Sequence, residues 1–255
     1  MLIVISPAKT LDLQKRYDNL PMTEPRFLEK SKVIMEELSS YDVNSLEKLM
    51  KISNKLAVVN KERNDSWTPN IENAKQAILT FKGEVYRGMD AQSFTDAELF
   101  YANDHLRMLS GLYGSIRPFD GIKEYRLEMG TKIPVKGSKN LYEFWGKTIE
   151  NSIMEEIRTH KNKVIINLAS KEYFKAIEGV EKLEDIKVIT PIFKERRGDE
   201  YKIITLKAKN ARGLMTRYIL QNEIEDIEKI KEFNLDGYEY NEEMSNESEF
   251  VFTRD

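Results

Sequence analysis

The chain has 255 residues, is 40% hydrophobic and 33% charged, and carries a formal net charge of −3; this is enough to bury a sizeable core in one large or two small domains. No cysteine is present, which excludes disulfides, thiolate metal sites and thiol redox chemistry, and the only histidines, His105 and His160, stand too far apart in sequence to suggest a histidine-based metal site. No apolar run approaches the ~18 residues of a membrane span, so neither a membrane partner nor a metal or other cofactor is expected.

The opening MLIVISPAKT is apolar but lacks a basic n-region and a long h-region. It reads as a buried first strand, Leu2–Ile5, ending in the turn Ser6-Pro7-Ala8-Lys9-Thr10, and not as a signal peptide; a cytoplasmic location is the expectation. Residues 26–39 repeat apolar side chains at helical spacing (Phe27, Leu28, Ile34, Met35, Leu38). Residues 44–60 hold two short helical patterns with a break near Lys51–Ser53. A helix is expected at 73–81, with Gly83 near its end. Thr95-Asp96-Ala97-Glu98 has capping-box spacing and opens a helix that could run to about Leu109. Residues 141–160 read as a longer helix, 163–168 as a strand, and 172–176 as a short helix. A strand pair, 187–193 and 201–206, surrounds the turn Arg197-Gly198-Asp199. A helix at 211–222 and a closing hairpin from 238–240 and 249–252 complete the pattern.

Strands and helices interleave without a repeat or a low-complexity linker. The expected fold is therefore a mixed α/β (α+β) arrangement, one domain over 1–255, with a helical subdomain at about 20–100. Charge is uneven: residues 105–147 carry eight Lys/Arg against four Asp/Glu, residues 194–217 eight against three, and residues 222–255 three against twelve. A basic face is thus compatible with the acidic total.

Five stretches could carry chemistry. In Ser6–Thr10, at a strand end, Ser6, Lys9 and Thr10 could meet an anion, although the Walker glycines are absent. In LRMLSGLYGSIRPFDGIKEYRLEMG (106–130), four glycines allow close backbone approach around Ser110, and Arg107, Arg117 and Arg126 can recognise planar anions. Arg126 and Glu128 flank Leu127 and would share one face of a strand. Ser170 is a candidate N-cap and Lys171 can reach a crevice at the strand end Asn167-Leu168-Ala169. Lys207, Lys209, Arg212 and Arg217 surround Gly213, whose ~1 kcal/mol cost in a helix a close contact would explain.

The fifth stretch, Leu46–Ala57, is similar to a helix-hairpin-helix: apolar anchors three apart, the hairpin Met50–Ser53, then Ala57. In that motif hairpin amides bind DNA phosphates without reading sequence. Lys51 and Ser53 stand where the motif prefers glycine, and Lys48, Lys51 and Lys55 would compensate by charge. The chain shows no recognisable catalytic constellation.

Eight blocks in order carry a wider resemblance: MLIVISPAKTLD (1–12), ISNKLA (52–57), FKGEVYRG (81–88), HLRMLSGLYGSIRPFDGI (105–122), YRLEMG (125–130), LYEFWG (141–146), NLASKEYF (167–174) and ARGLMTRYI (211–219). Together they resemble the YaaA family of bacterial peroxide-stress proteins over essentially the whole chain. The resemblance implies a cytosolic protein that limits free-iron (Fenton) damage, a single-domain α/β fold with a helix-hairpin-helix element and a basic cleft, and binding of duplex or junction DNA. It brings no catalytic residues. The acidic residues Glu242, Glu243, Glu247 and Glu249 lack a Glu-x-x-His pattern and read as solvated, so any iron lowering is expected to be indirect. The alternative is an enzyme or binder of a nucleotide-like or carboxylated anion, using Lys9, Arg107, Arg126, Lys171 and Arg212, which would then have to converge.

Overall fold

Four consecutive apolar residues, Leu2–Ile5, form strand β1, and all four are buried. A strand buried on both faces belongs inside a parallel sheet. In this computed structural model, which describes residues 1–14 and 20–255, β1 indeed lies between two parallel neighbours.

The chain continues through β2 (Thr10–Leu11), helices α1 (Leu28–Ser40), α2 (Val43–Met50) and α3 (Asn54–Ser66), β3 (Lys75–Gln76), the single turn α4 (Ala77–Thr80), β4 (Phe81–Lys82), α5 (Glu84–Met89) and α6 (Asp96–His105). Then come β5 (Leu106–Ser110), β6 (Gly114–Ile116), β7 (Gly121–Ile122), α7 (Leu141–Trp145), α8 (Thr148–Ile157), β8 (Val164–Leu168) and α9 (Lys171–Phe174). The last elements are β9 (Lys187–Arg197), β10 (Glu200–Lys202), α10 (Thr205–Gln221), β11 (Glu239–Tyr240) and β12 (Glu249–Arg254).

The fold is mixed α/β, as expected. The main sheet runs β11-β12-β9-β8-β1-β5-β6, with β10 paired to β9. Strands β12, β9, β8, β1 and β5 are mutually parallel; β6, β10 and β11 are antiparallel additions. From β1 the sheet grows toward β5 on one side and toward β8 on the other. Its direction of growth therefore reverses between β1 and β8, where parallel sheets open a crevice at the strands' carboxyl ends.

Three expected helices are shortened or replaced. The capping box at Thr95 and Glu98 is present, but α6 stops at His105, because Leu106–Ser110 are all buried and pair with β1. A short apolar run does not by itself distinguish a buried helix from a buried strand. Residues 75–82 hold two strand pieces around one helical turn, since Lys75–Gln76 pairs with Gly121–Ile122 and Phe81–Lys82 with Thr10–Leu11. Residues 141–160 split into α7 and α8 at Gly146, whose φ is +49°. The expected strand at 201–206 is reduced to β10, and α10 starts at Thr205. Ser170 occupies the N-cap position of α9 without a side-chain capping bond.

Helices α2 and α3 form a tight pair, with Leu46 and Ala57 fully buried. Lys51 ends α2 in the left-handed conformation at φ 52°. The N–H groups of Lys51 and Ile52 both turn back to the Glu47 carbonyl, Ile52 at 3.2 Å. This closes α2 in the manner usually served by glycine, and it occupies two of the hairpin's amides.

Gly213 has its explanation in the contact between α10 and α5. A Cβ there would lie 1.9 Å from the Val85 carbonyl oxygen and 2.7 Å from the Met89 nitrogen. Gly88 on α5 makes the reciprocal approach, its Cβ position being 2.2 Å from the Asn210 carbonyl oxygen. Arg217 locks the same junction, donating to Ser93 Oγ at 2.7 Å and to the Met89 carbonyl at 3.2 Å.

Gly213→Ala is expected to destabilise the protein. Overpacking of this kind costs ~1–3 kcal/mol or more, which exceeds the ~1 kcal/mol helix preference of alanine. Thermal unfolding followed by circular dichroism should show a melt several degrees lower; an unchanged melt contradicts the contact. Lys51→Gly should do the opposite. The left-handed residue costs ~1–2 kcal/mol with a side chain, against ~0.4–1 kcal/mol of added unfolded-state entropy for glycine, so the variant should melt no lower than the parent.

Candidate anion-binding cleft

The crevice between β1 and β8 is closed by serines. Ser170 N–H donates to Ser6 Oγ at 2.8 Å, and the two hydroxyls lie 3.3 Å apart. Tyr86 OH donates to the Ser6 carbonyl at 3.0 Å. At the end of β5, Ser110 is fully buried, bonded to Tyr125 OH at 2.7 Å and accepting from the N–H groups of Leu112 and Tyr113. Burial pushes the phenols of Tyr86, Tyr125 and Tyr173 up, so they stay neutral at physiological pH. The strand ends are thus knitted together, and open space lies farther out.

That space is a cleft of about 630 Å³ with three basic walls. Lys9 comes from the turn after β1, Lys48 and Lys51 from the end of α2, and Arg126 and Lys132 from the segment leading away from β7. This last segment forms no strand, yet its burial alternates: Tyr125, Leu127 and Met129 face the core while Arg126 and Glu128 are half-buried. The expected common face of Arg126 and Glu128 therefore exists on extended, unpaired backbone. Gly111 seats it, since a Cβ there would be 2.8 Å from the Leu127 carbonyl oxygen.

Two carboxylates enter the cleft. Glu128 Oε1 is 2.8 Å from Lys9 Nζ and 3.9 Å from an Arg126 nitrogen. Glu172 accepts from Gly130 N–H at 2.8 Å. In the Lys9–Glu128 pair the lysine is exposed and the carboxylate half-buried; a pair at the surface is worth ~0–1 kcal/mol, so an incoming anion displaces it at little cost. Lys48, Lys51 and Lys132 are exposed and form no ion pair within 4 Å among the described residues. Arg126 Nε is buried without a hydrogen-bond partner, and it adjoins a narrow recess beside Pro7, Tyr125 and Tyr173.

The remaining sequence candidates lie elsewhere. Arg107 is buried, ion-paired with Glu156, and donates to the Asn103 carbonyl at 2.8 Å; burial pushes its pKa down and Glu156 counters this. Arg117 grips fully buried Asp120 at 2.8 and 3.0 Å and donates to the Glu24 carbonyl. Thr10 pairs with Lys82 and borders a separate depression near Tyr86 and Arg87. Ser53 and Lys55 are exposed at the start of α3, where Ser53 Oγ accepts from Leu56 N–H. Lys171 is exposed beside Glu172 but does not line the cleft. Arg212 is half-buried, its guanidinium makes no hydrogen bond or ion pair among the described residues, and burial lowers its pKa. The cleft thus unites Lys9, Lys48, Lys51 and Arg126, adds Lys132, and leaves Thr10, Ser53, Lys55, Arg107, Arg117, Lys171 and Arg212 outside; of the five cations expected to converge on an anion, Lys9 and Arg126 share the cleft and Arg107, Lys171 and Arg212 do not.

A second cluster escaped sequence reasoning. At the opposite, amino-terminal edge of the sheet, His105 immediately precedes β5 and His160 precedes β8. Because β5 and β8 flank β1, the rings meet edge to face at 4.8 Å between centroids. Glu225 joins them, its Oε1 3.3 Å from His105 Nδ1. Burial pushes both imidazoles down, His160 to about 4, and Glu225 stays below the ordinary carboxylate range through the Met1 nitrogen, Asn162 and His105.

The family model described as "Peroxide stress protein YaaA" matches residues 1–244. A UPF0246 protein of Clostridium beijerinckii is 58% identical over 255 residues, covering 100% of this chain and 98% of its own length. Relatives in Clostridium perfringens and Hahella chejuensis, also UPF0246 proteins, are 51% and 46% identical, each covering 100% of both chains. With the family model spanning nearly all of the chain and relatives aligning end to end, this protein belongs to the peroxide stress protein YaaA family.

Proposed function

We propose that the chain serves the response to peroxide stress by holding the phosphate backbone of duplex DNA against the basic cleft. The observation that carries this reading is the convergence of Lys48 and Lys51, at the end of α2, with Lys9, Arg126 and Lys132 on one open surface. Ammonium groups not held in ion pairs are suited to a polyanion: each phosphate they neutralise releases condensed counterions, and the gain requires no base contact.

The hairpin contributes differently from the motif it is similar to. Its Lys51 and Ile52 amides cap α2, and the Leu56 amide at the start of α3 is taken by Ser53 Oγ, so side chains and not hairpin amides make the phosphate contacts. Lysine side chains supply most of the charge. Protein lying along the duplex covers backbone that iron-derived radicals attack, which links DNA binding to protection from Fenton damage without requiring the cleft to bind iron.

A compact phosphorylated or carboxylated ligand is the second reading, favoured by the buried, unpaired Nε of Arg126. An unsatisfied buried donor is costly, ~1–3 kcal/mol, and a bound anion would supply its acceptor. The two readings weight different residues: duplex binding depends on Lys48 and Lys51, small-anion binding on Arg126.

Fluorescence anisotropy with a short labelled duplex across a salt series distinguishes them. The parent should show affinity falling linearly on a log–log plot. The Lys48→Ala/Lys51→Gly double variant should bind about tenfold more weakly or worse, with the slope reduced by about two units, roughly one per lost phosphate contact. Equal slopes for parent and variant would remove the hairpin lysines from any DNA site. Calorimetry with a nucleoside diphosphate tests the second reading: Arg126→Ala should abolish the heat that Lys51→Gly leaves intact.

A further inference from the structure

We infer that His105, His160 and Glu225 form a binding site for one divalent first-row transition-metal ion, at the edge of the sheet opposite the basic cleft. One ligand atom from each residue lies within 4.8 Å of the other two. Metal–ligand bonds of ~2.0–2.2 Å place neighbouring ligand atoms roughly 3–3.5 Å apart. Closing on an ion therefore takes an inward shift of about 1 Å, within reach of half-buried side chains.

The donor set chooses the ion class. Two imidazoles and one carboxylate suit Zn²⁺, Fe²⁺, Mn²⁺ or Co²⁺, whereas Ca²⁺ and Mg²⁺ take oxygen ligands. Three protein ligands leave coordination positions open. They face a cavity of about 540 Å³, also bordered by Asp104, Thr159 and Lys161, which gives water or a small ligand access.

The surroundings resemble the outer shell of a metal site. His105 Nδ1 is 2.8 Å from the Met1 carbonyl; in the tautomer that donates this bond, Nε2 keeps its lone pair for a metal. Tyr101 stacks on the same ring at 4.0 Å between centroids and donates to Glu225 Oε1 at 3.4 Å. Asn162 Nδ2 donates to Glu225 Oε2 at 3.2 Å and to its carbonyl at 2.9 Å. Bonds of this kind orient ligands, and their loss usually costs 10–100-fold in affinity, on the order of what Asn162→Ala should show. The Met1 nitrogen lies 2.9 Å from Glu225 Oε2 and 3.3 Å from His160 Nδ1. A positive group is thus already stabilised between two of the three ligands, and an entering ion competes with it. The strand between this edge and the cleft, β1, is four residues long, ~13 Å, so the two sites are separately testable.

The test uses the full chain after chelator treatment. Because it contains only two histidines, imidazole NMR of the parent protein reads the site without any substitution. One equivalent of Zn²⁺ should shift the resonances of both rings, and chelator should reverse the change. Co²⁺ should give visible d–d absorption that saturates at one ion per chain. His160→Ala and Glu225→Gln should each weaken Co²⁺ binding by about 100-fold, with circular dichroism showing that they remain folded. If a variant does not fold, the parent's NMR response decides alone. Movement of one ring only, no movement at millimolar Zn²⁺, or parental Co²⁺ affinity in folded His160→Ala overturns the site.

Discussion

Strand β1 is the constraint on which both candidate regions depend. Its four side chains are buried on both faces, so the strand needs a parallel neighbour on either side, and the chain supplies β5 and β8 from segments that start roughly one hundred and one hundred and sixty residues later. Residues at the ends of these three strands are thereby forced together whatever their distance in sequence. At the carboxyl edge this joins Ser6 to Ser170 and seals the crevice between them. At the amino edge it joins His105 to His160. One burial requirement thus explains why the cleft is displaced outward and why two isolated histidines share a site.

The outward cleft depends on a different kind of support. Its floor near Arg126 is extended backbone with no strand partner, a conformation that is maintained only if alternate side chains are anchored. Tyr125, Leu127 and Met129 provide the anchors, and the close approach of Gly111 to the Leu127 carbonyl leaves no room for the segment to settle differently. The hairpin wall is fixed by the Glu47 carbonyl, which receives both amides that follow α2. Anchored backbone with exposed lysine tips suits a ligand recognised by charge and spacing, because little backbone entropy remains to be lost on binding.

Much of this was legible in the sequence, and the failures share a cause. Helices with strong periodicity or a capping signal were found: α1, the start of α6 at Thr95, and the break between α2 and α3. Strand β8 and the β11–β12 pairing were found from apolar runs between turns. What was lost depended on long-range pairing. Leu106–Leu109 continues the apolar pattern of α6, and only its partnership with β1 makes it a strand. The second cluster depends on the same pairing: His105 closes α6, and only the start of β5 at the next residue brings it to the foot of the sheet beside β1. Glu225 carried no local signal at all, lying within an acidic region that composition alone makes look solvated.

The arginines of residues 106–130 show why basic composition is a weak guide to a binding surface. A guanidinium that leaves water needs acceptors, so an arginine in a segment that folds into the interior is as apt to hold the protein together as to hold a ligand. Arg107 and Arg117 are of this kind, with Glu156 and buried Asp120 as their acceptors. Arg126 departs from it, because one of its buried donors has no partner. The exposed cations of the cleft are lysines, and they come from three stretches that have no sequence signal in common, the turn after β1, the end of α2 and the segment beyond Arg126. A surface assembled in this way exists only in the folded chain. The hairpin taken alone would retain Lys48 and Lys51 but lose the opposing wall that turns two surface lysines into a groove.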